Sequence, residues 1–109
     1  MSERFAYVVR AELPDSACVE RYVAWLLGGH LAAVVEAGAA SGEVVRFDGE
    51  PLVVEAHYRF ASRDAFAAYE AGPAVALRGE GARWFGENGL VPGETVKLAR
   101  RTGVVVHEA

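Results

Sequence analysis

Cysteine and lysine are almost missing from this chain: Cys18 and Lys97 are the only residues of either kind. A lone cysteine has no intrachain partner, so the fold is held without a disulfide and needs no oxidising compartment; the cytoplasm is the expected location. Eleven Lys+Arg against fifteen Asp+Glu leave a net charge of −4, which supplies no basic field for a phosphate backbone and argues against nucleic acid as a partner. Long apolar runs are lacking too. The longest uncharged stretch, Tyr22 to Val35, falls short of the ~20 residues of a membrane span and carries His30. Glu3, Arg4 and Arg10 interrupt any signal-peptide core, so no membrane partner is expected. What remains is 109 residues with 52% apolar content, the material of one packed domain over 1–109.

Apolar runs and breakers divide the chain into strand, helix, strand, strand, helical region, strand. Phe5–Arg10 reads as the first strand, closed by Leu13-Pro14-Asp15-Ser16. Asp15 or Ser16 suits the N-cap of a long helix running to about Ala37, with Gly38 as its stop. Val19, Tyr22, Val23, Leu26, His30, Ala33 and Val34 fall on one helical stripe, which centres His30 on the buried face. Gly28-Gly29 inside that helix implies a close backbone approach or a kink.

Gly42–Phe47 and Leu52–Phe60 form a hairpin around Asp48-Gly49-Glu50-Pro51. A loop of two or four residues puts Val45, Phe47, Leu52, Val54, Ala56, Tyr58 and Phe60 on one face, and Val44, Arg46, Val53, Glu55, His57 and Arg59 on the other. Ser62 caps a short helix with Phe66 and Tyr69, Gly72-Pro73 breaks it, a second segment reaches Trp84-Phe85, and Gly86–Gly93 is a loop. Thr95–Val106 is the last strand.

The order predicts an α+β class, ferredoxin-like βαββαβ domain: a four-stranded antiparallel sheet with helices on one face. Its central first strand is apolar on both sides, with Phe5, Tyr7 and Val9 against Ala6 and Val8. One helix layer buries only one of these faces, and Val104-Val105-Val106 makes an apolar edge. Pairing of two sheets in a homodimer answers both difficulties; the alternative is a monomer with an apolar open face.

The tract Tyr22-Val-Ala-Trp25-Leu-Leu-Gly-Gly-His30-Leu ending in Ala37-Gly38, then Tyr69-Glu70, Leu77-Arg78, Trp84-Phe85-Gly86 and a final strand with Arg100, resembles an uncharacterised bacterial domain family of the dimeric α+β barrel superfamily. The resemblance spans nearly the whole chain. It implies the fold and the dimer, and leaves the reaction open among cofactor-independent oxygenases, isomerases, haem-degrading enzymes and proteins without known activity. Gly28-Gly29 and the length of the Gly86–Gly93 loop depart from its pattern. It also singles out Arg78 and Arg100, each of which has Glu70 or Glu80 as an alternative surface partner.

Nucleophilic chemistry has no motif here, since Gly-x-Ser-x-Gly is missing and no His stands beside Cys18 in sequence. His30, His57 and His107 lie on separate elements, so no metal is expected. Gly79-Glu-Gly81 follows no strand and lacks the third glycine of a dinucleotide fingerprint, and no cofactor is expected. An RNA-binding sheet needs exposed aromatics and basic flanks, an acylphosphatase-like domain a basic glycine loop after the first strand; neither is present.

Two groups of polar residues remain. Glu55, His57 and Arg59 alternate along the third strand, joined by Arg46, and form either an acid-base site or an interface salt-bridge network. His30 is either a general base or a core histidine with a protein partner. The expected site joins the two groups: His57 or His30 as the catalytic base, Glu55, Arg59, Arg46, Arg78 and Arg100 as polar binding residues, and Tyr7 and Trp25 as walls around a small anionic or aromatic ligand. The function expected is binding or slow transformation of a small organic molecule; the alternative is a non-catalytic interaction or regulatory subunit with a packed barrel interior.

Overall fold

The computed structural model describes residues 3–109. Its elements are β1 (Phe5–Glu12), α1 (Ser16–Trp25), a π-helical turn (Leu26–His30), α2 (Leu31–Glu36), β2 (Ser41–Arg46), β3 (Val53–Phe60), α3 (Arg63–Ala71), α4 (Ala74–Glu87) and β4 (Lys97–Val104). The sheet order is β2-β3-β1-β4 with every pair antiparallel. This is the ferredoxin-like arrangement, with the first strand central.

Local chemistry accounts for the helix starts. Asp15 has extended backbone and its carboxylate accepts from the Cys18 amide at 2.8 Å; Ser62 does the same for Ala65 at 3.1 Å. The long helix is not continuous. Gly29 takes φ 152°, a conformation open to glycine, and the chain makes one wide π turn before α2 begins. Nothing lies within 4 Å of where a Cβ would stand on Gly28 or Gly29, so the glycines serve the kink and not a close approach. Counted through the turn, Ser16–Glu36 is 21 residues, apolar enough by composition to cross a membrane; here Val19, Tyr22, Leu26 and Val34 on it are buried in the core.

One expectation is corrected in the hairpin. Val44 pairs with Ala56, Val45 with Glu55 and Arg46 with Val54, and directly opposed residues share a face. An odd number of residues separates Arg46 from Val54, whereas a loop of two or four requires an even one. The whole of β2 is therefore inverted: Val44 and Arg46 stand on the face of Ala56 and Val54, and Arg46 does not join Glu55, His57 and Arg59.

The helix-covered face carries Phe5, Tyr7, Val9 and Ala11 of β1, opposed to Phe60, Tyr58, Ala56 and Val54 of β3 and to Val104, Thr102, Arg100 and Leu98 of β4. Its core is split in two. Phe5, Tyr7, Val34, Tyr58, Phe60, Phe66 and Tyr69 form one cluster, and Leu13, Val19, Tyr22, Leu26, Val54, Phe85 and Val96 form the other. The open face bears Ala6, Val8 and Arg10, with His57 beside Val8 and Glu55 beside Arg10.

Candidate functional site

Where the two core clusters meet, the interior is not filled. A cavity of about 110 Å³ lies between the sheet, α1 with its π turn, and α4. Tyr7 and Tyr58 reach it from the sheet, Tyr22 from α1 and Tyr69 from α3. These are all four tyrosines of the chain. Each side chain belongs to a buried residue, yet the side-chain hydrogen bonds among the described residues include none to a tyrosine hydroxyl. Burial pushes the Tyr22 and Tyr69 phenols up to about 12 and raises Tyr58 as well, so these hydroxyls keep their protons at neutral pH.

His30 closes one wall. The π turn delivers it against Trp25, ring on ring at 4.2 Å and 21°, and Trp25 in turn stacks on Trp84 at 5.4 Å. His30 Nδ1 is buried without a hydrogen-bond partner. Burial lowers the pKa of the ring, opposed by the nearby charge of Glu80, and the imidazole is neutral at pH 7. A buried N–H with no acceptor is rarer and costlier than an idle lone pair, which assigns the single ring proton to Nε2. His30 is thus built to donate a hydrogen bond; becoming an imidazolium would strand a second N–H at Nδ1.

Arg78 on α4 and Arg100 on β4 complete the rim, with Arg100 exposed and Arg78 half-buried. Neither forms an ion pair among the described residues. The lining contains no aspartate or glutamate.

The residues singled out from sequence thus separate into two places. His30, Tyr7, Trp25, Arg78 and Arg100 share the cavity. Glu55, His57 and Arg59 lie on the other face of the sheet, since β3 alternates and they are offset by one from Ala56, Tyr58 and Phe60. A single pocket bounded by His30 and the polar side of β3 is ruled out by that alternation. On the open face His57 Nε2 meets Glu55 at 2.7 Å, its Nδ1 lies 3.6 Å from Glu43, and Arg10 lies 3.9 Å from Glu55. His57 and Arg59 border a depression of about 530 Å³ reached also by Arg4 and Glu108. Tyr58 and Tyr69 escape a sequence reading because each sits where an apolar strand or helix face expects an aromatic. The signal present was a phenol where phenylalanine serves packing equally well.

Comparison with solved structures yields the same architecture. The chain has the ferredoxin-like fold. A dimeric ferredoxin-like protein from an uncultured marine organism superposes with a TM-score of 0.77 at 17% identity, covering 99% of this chain and 100% of that one. SnoaB, a cofactor-independent oxygenase from Streptomyces nogalater, matches with a TM-score of 0.61 at 13% identity over 98% of this chain and 97% of its own. Rv0793 from Mycobacterium tuberculosis gives 0.61 at 18% identity over 96% and 98%. No family model and no curated protein matches the sequence.

Proposed function

We propose that this protein is a homodimeric binder of a small organic molecule, that its ligand site is the helix-face cavity, and that His30 Nε2–H is a hydrogen-bond donor to the ligand there. The observation that carries this reading is the polarity gathered at the cavity: four phenols without a protein partner that open onto it, beside an imidazole whose Nδ1 is buried unpaired, where two apolar cores would otherwise merge. A few convergent polar groups on an otherwise apolar lining are what orients a small ligand, and a bound molecule with acceptor atoms engages the hydroxyls and His30 Nε2–H. SnoaB, a cofactor-independent oxygenase, supports the reading that this fold can host chemistry without a cofactor. The open face, with Val8 and Val45 beside a self-paired polar strip, is the surface for a second copy, as the dimeric neighbour suggests. A lone cysteine without a disulfide fits a cytoplasmic protein.

Gly81 provides the test. It lines the cavity from α4, and a Cβ there meets Trp25 Cη2 at an ordinary 3.6 Å. Gly81→Leu is expected to fill the cavity and remove a helix-interior glycine, raising stability by about 0.5–1 kcal/mol while abolishing binding of every single-ring compound that shifts the melting temperature of the parent. Binding that survives this substitution places the ligand elsewhere, and a parent that no small molecule stabilises leaves the interaction-subunit reading in its place.

A further inference from the structure

We infer that the ligand of this cavity is a single-ring aryl carboxylate, its ring held against Tyr22, Trp25 and Tyr58 and its carboxylate directed to Arg78 and Arg100; this rests on the small-molecule reading above. Charge selects the anion. The chain carries fifteen acidic residues and a net charge of −4, yet the cavity is lined by two arginines and no carboxylate. The two guanidiniums come from different elements onto one patch: Arg100 acts on the Tyr22 and Tyr69 hydroxyls and Arg78 on that of Tyr69. Two unpaired guanidiniums on one rim match a planar, two-oxygen acceptor.

The remaining polar groups agree with that choice. The neutral phenols and His30 Nε2–H are all able to donate, and no group on the lining demands a cation. Size selects a single ring. An apolar cavity of ~150 Å³ accepts benzene; the space here is about 110 Å³ and opens to solvent on one side, so one ring with its substituent in the mouth is the upper limit and a fused polycycle is excluded. The wall there is aromatic, with Tyr22 already stacked on Trp25 and Phe85 and Tyr58 beside Tyr7, so the ring meets the edges of a packed aromatic lining in apolar contact. The exposed positions on the lining, Ala82, Pro92 and Arg100, mark the mouth, so the carboxylate meets the arginines at the solvent side without being fully desolvated.

The experiment is titration calorimetry of the purified protein with benzoate, its neutral isostere benzamide, and acetate, repeated on the double variant R78A/R100A and on R83A. Arg83 is exposed on α4 and does not line the cavity, so R83A removes a positive charge from the same helix as Arg78 without touching the site. Benzoate is expected to saturate, benzamide to bind about tenfold more weakly or worse, and acetate not to bind. R78A/R100A should bring benzoate down to the level of benzamide, and R83A should change nothing. Benzamide binding as tightly as benzoate to the parent, or benzoate keeping its advantage in R78A/R100A, overturns the carboxylate assignment and leaves the small-molecule reading standing. If neither aromatic compound binds the parent, the aryl-carboxylate assignment falls, and the small-molecule reading is decided by the melting-temperature test above. Circular dichroism of each variant confirms the fold.

Discussion

The two faces of this sheet carry polar residues in opposite conditions. On the open face, Glu55, His57, Glu43 and Arg10 stand in water's reach and satisfy one another, with His57 and Glu55 in contact at 2.7 Å. Under the helices, four phenols have no partner within the chain and open onto a cavity, and the His30 Nδ1 is buried unpaired. The face that looks most like an active site in sequence is electrostatically quiet, and the face that looks like core holds the unmet demand. Residue type alone does not mark a site; hydrogen-bonding capacity left over after folding does.

This contrast is most forcefully tested at Val8. It lies mid-strand on the open face, opposed to His57 and Arg101. Val8→Arg is expected to leave the helix face and its cavity intact while burying an unpaired charge between two sheets, at a cost of about 3–5 kcal/mol. Light scattering after size exclusion should show the parent at twice the chain mass and the variant at the chain mass. A variant that remains dimeric removes the open face as the interface.

A smaller effect concerns acid. Burial depresses the His30 pKa below its ordinary value of 6.5, so in acid the unfolded chain binds this proton more readily than the folded one. The stability contributed by neutral His30 is complete above about pH 6.5 and is lost as pH falls through the folded-state value. His30→Phe, which keeps an aromatic ring against Trp25, should flatten this part of the profile when urea midpoints are compared between pH 7.5 and pH 5.5. An unchanged slope would mean that His30 finds a partner in solution and is no longer the open group of the cavity.

The smallest expected effect sharpens the comparison from both sides. Tyr58→Phe removes a hydroxyl that has no protein partner and should alter stability by no more than about 0.5 kcal/mol, whereas Glu55→Ala strips His57 of its acceptor and should cost about 1 kcal/mol despite being partly exposed. Urea denaturation of both variants measures the difference. Reversal of that order would show that the phenol, and not the strip, is engaged within the fold.

Much of the architecture is legible in the sequence because it rests on local rules. The alternation in Phe5–Arg10, the caps at Asp15 and Ser62, and the breaker at Gly72-Pro73 specify elements and their order, and the apolar character of both sides of β1 specifies a central strand. The hairpin shows the limit of such rules. Strand and loop boundaries were nearly right, but one residue more between Arg46 and Val54 turns every side chain of β2 to the other face, and nothing within the strand records that count.

The site lies further beyond local reading. His30 and Trp25 could be assigned to a helix face, and Tyr58 to the covered side of β3, but periodicity measures direction and not distance. Whether side chains facing one another close into a continuous core or stop short depends on the volumes of residues far apart in the chain. Here Tyr7, Tyr22, Tyr58 and Tyr69, from four different elements, converge on one gap between two packed clusters. The sequence by itself determined which faces of β1, β3 and the first helix are buried; the tertiary structure alone decided which way β2 faces and which polar groups go unpaired, because pairing is a property of three-dimensional proximity that no single element contains.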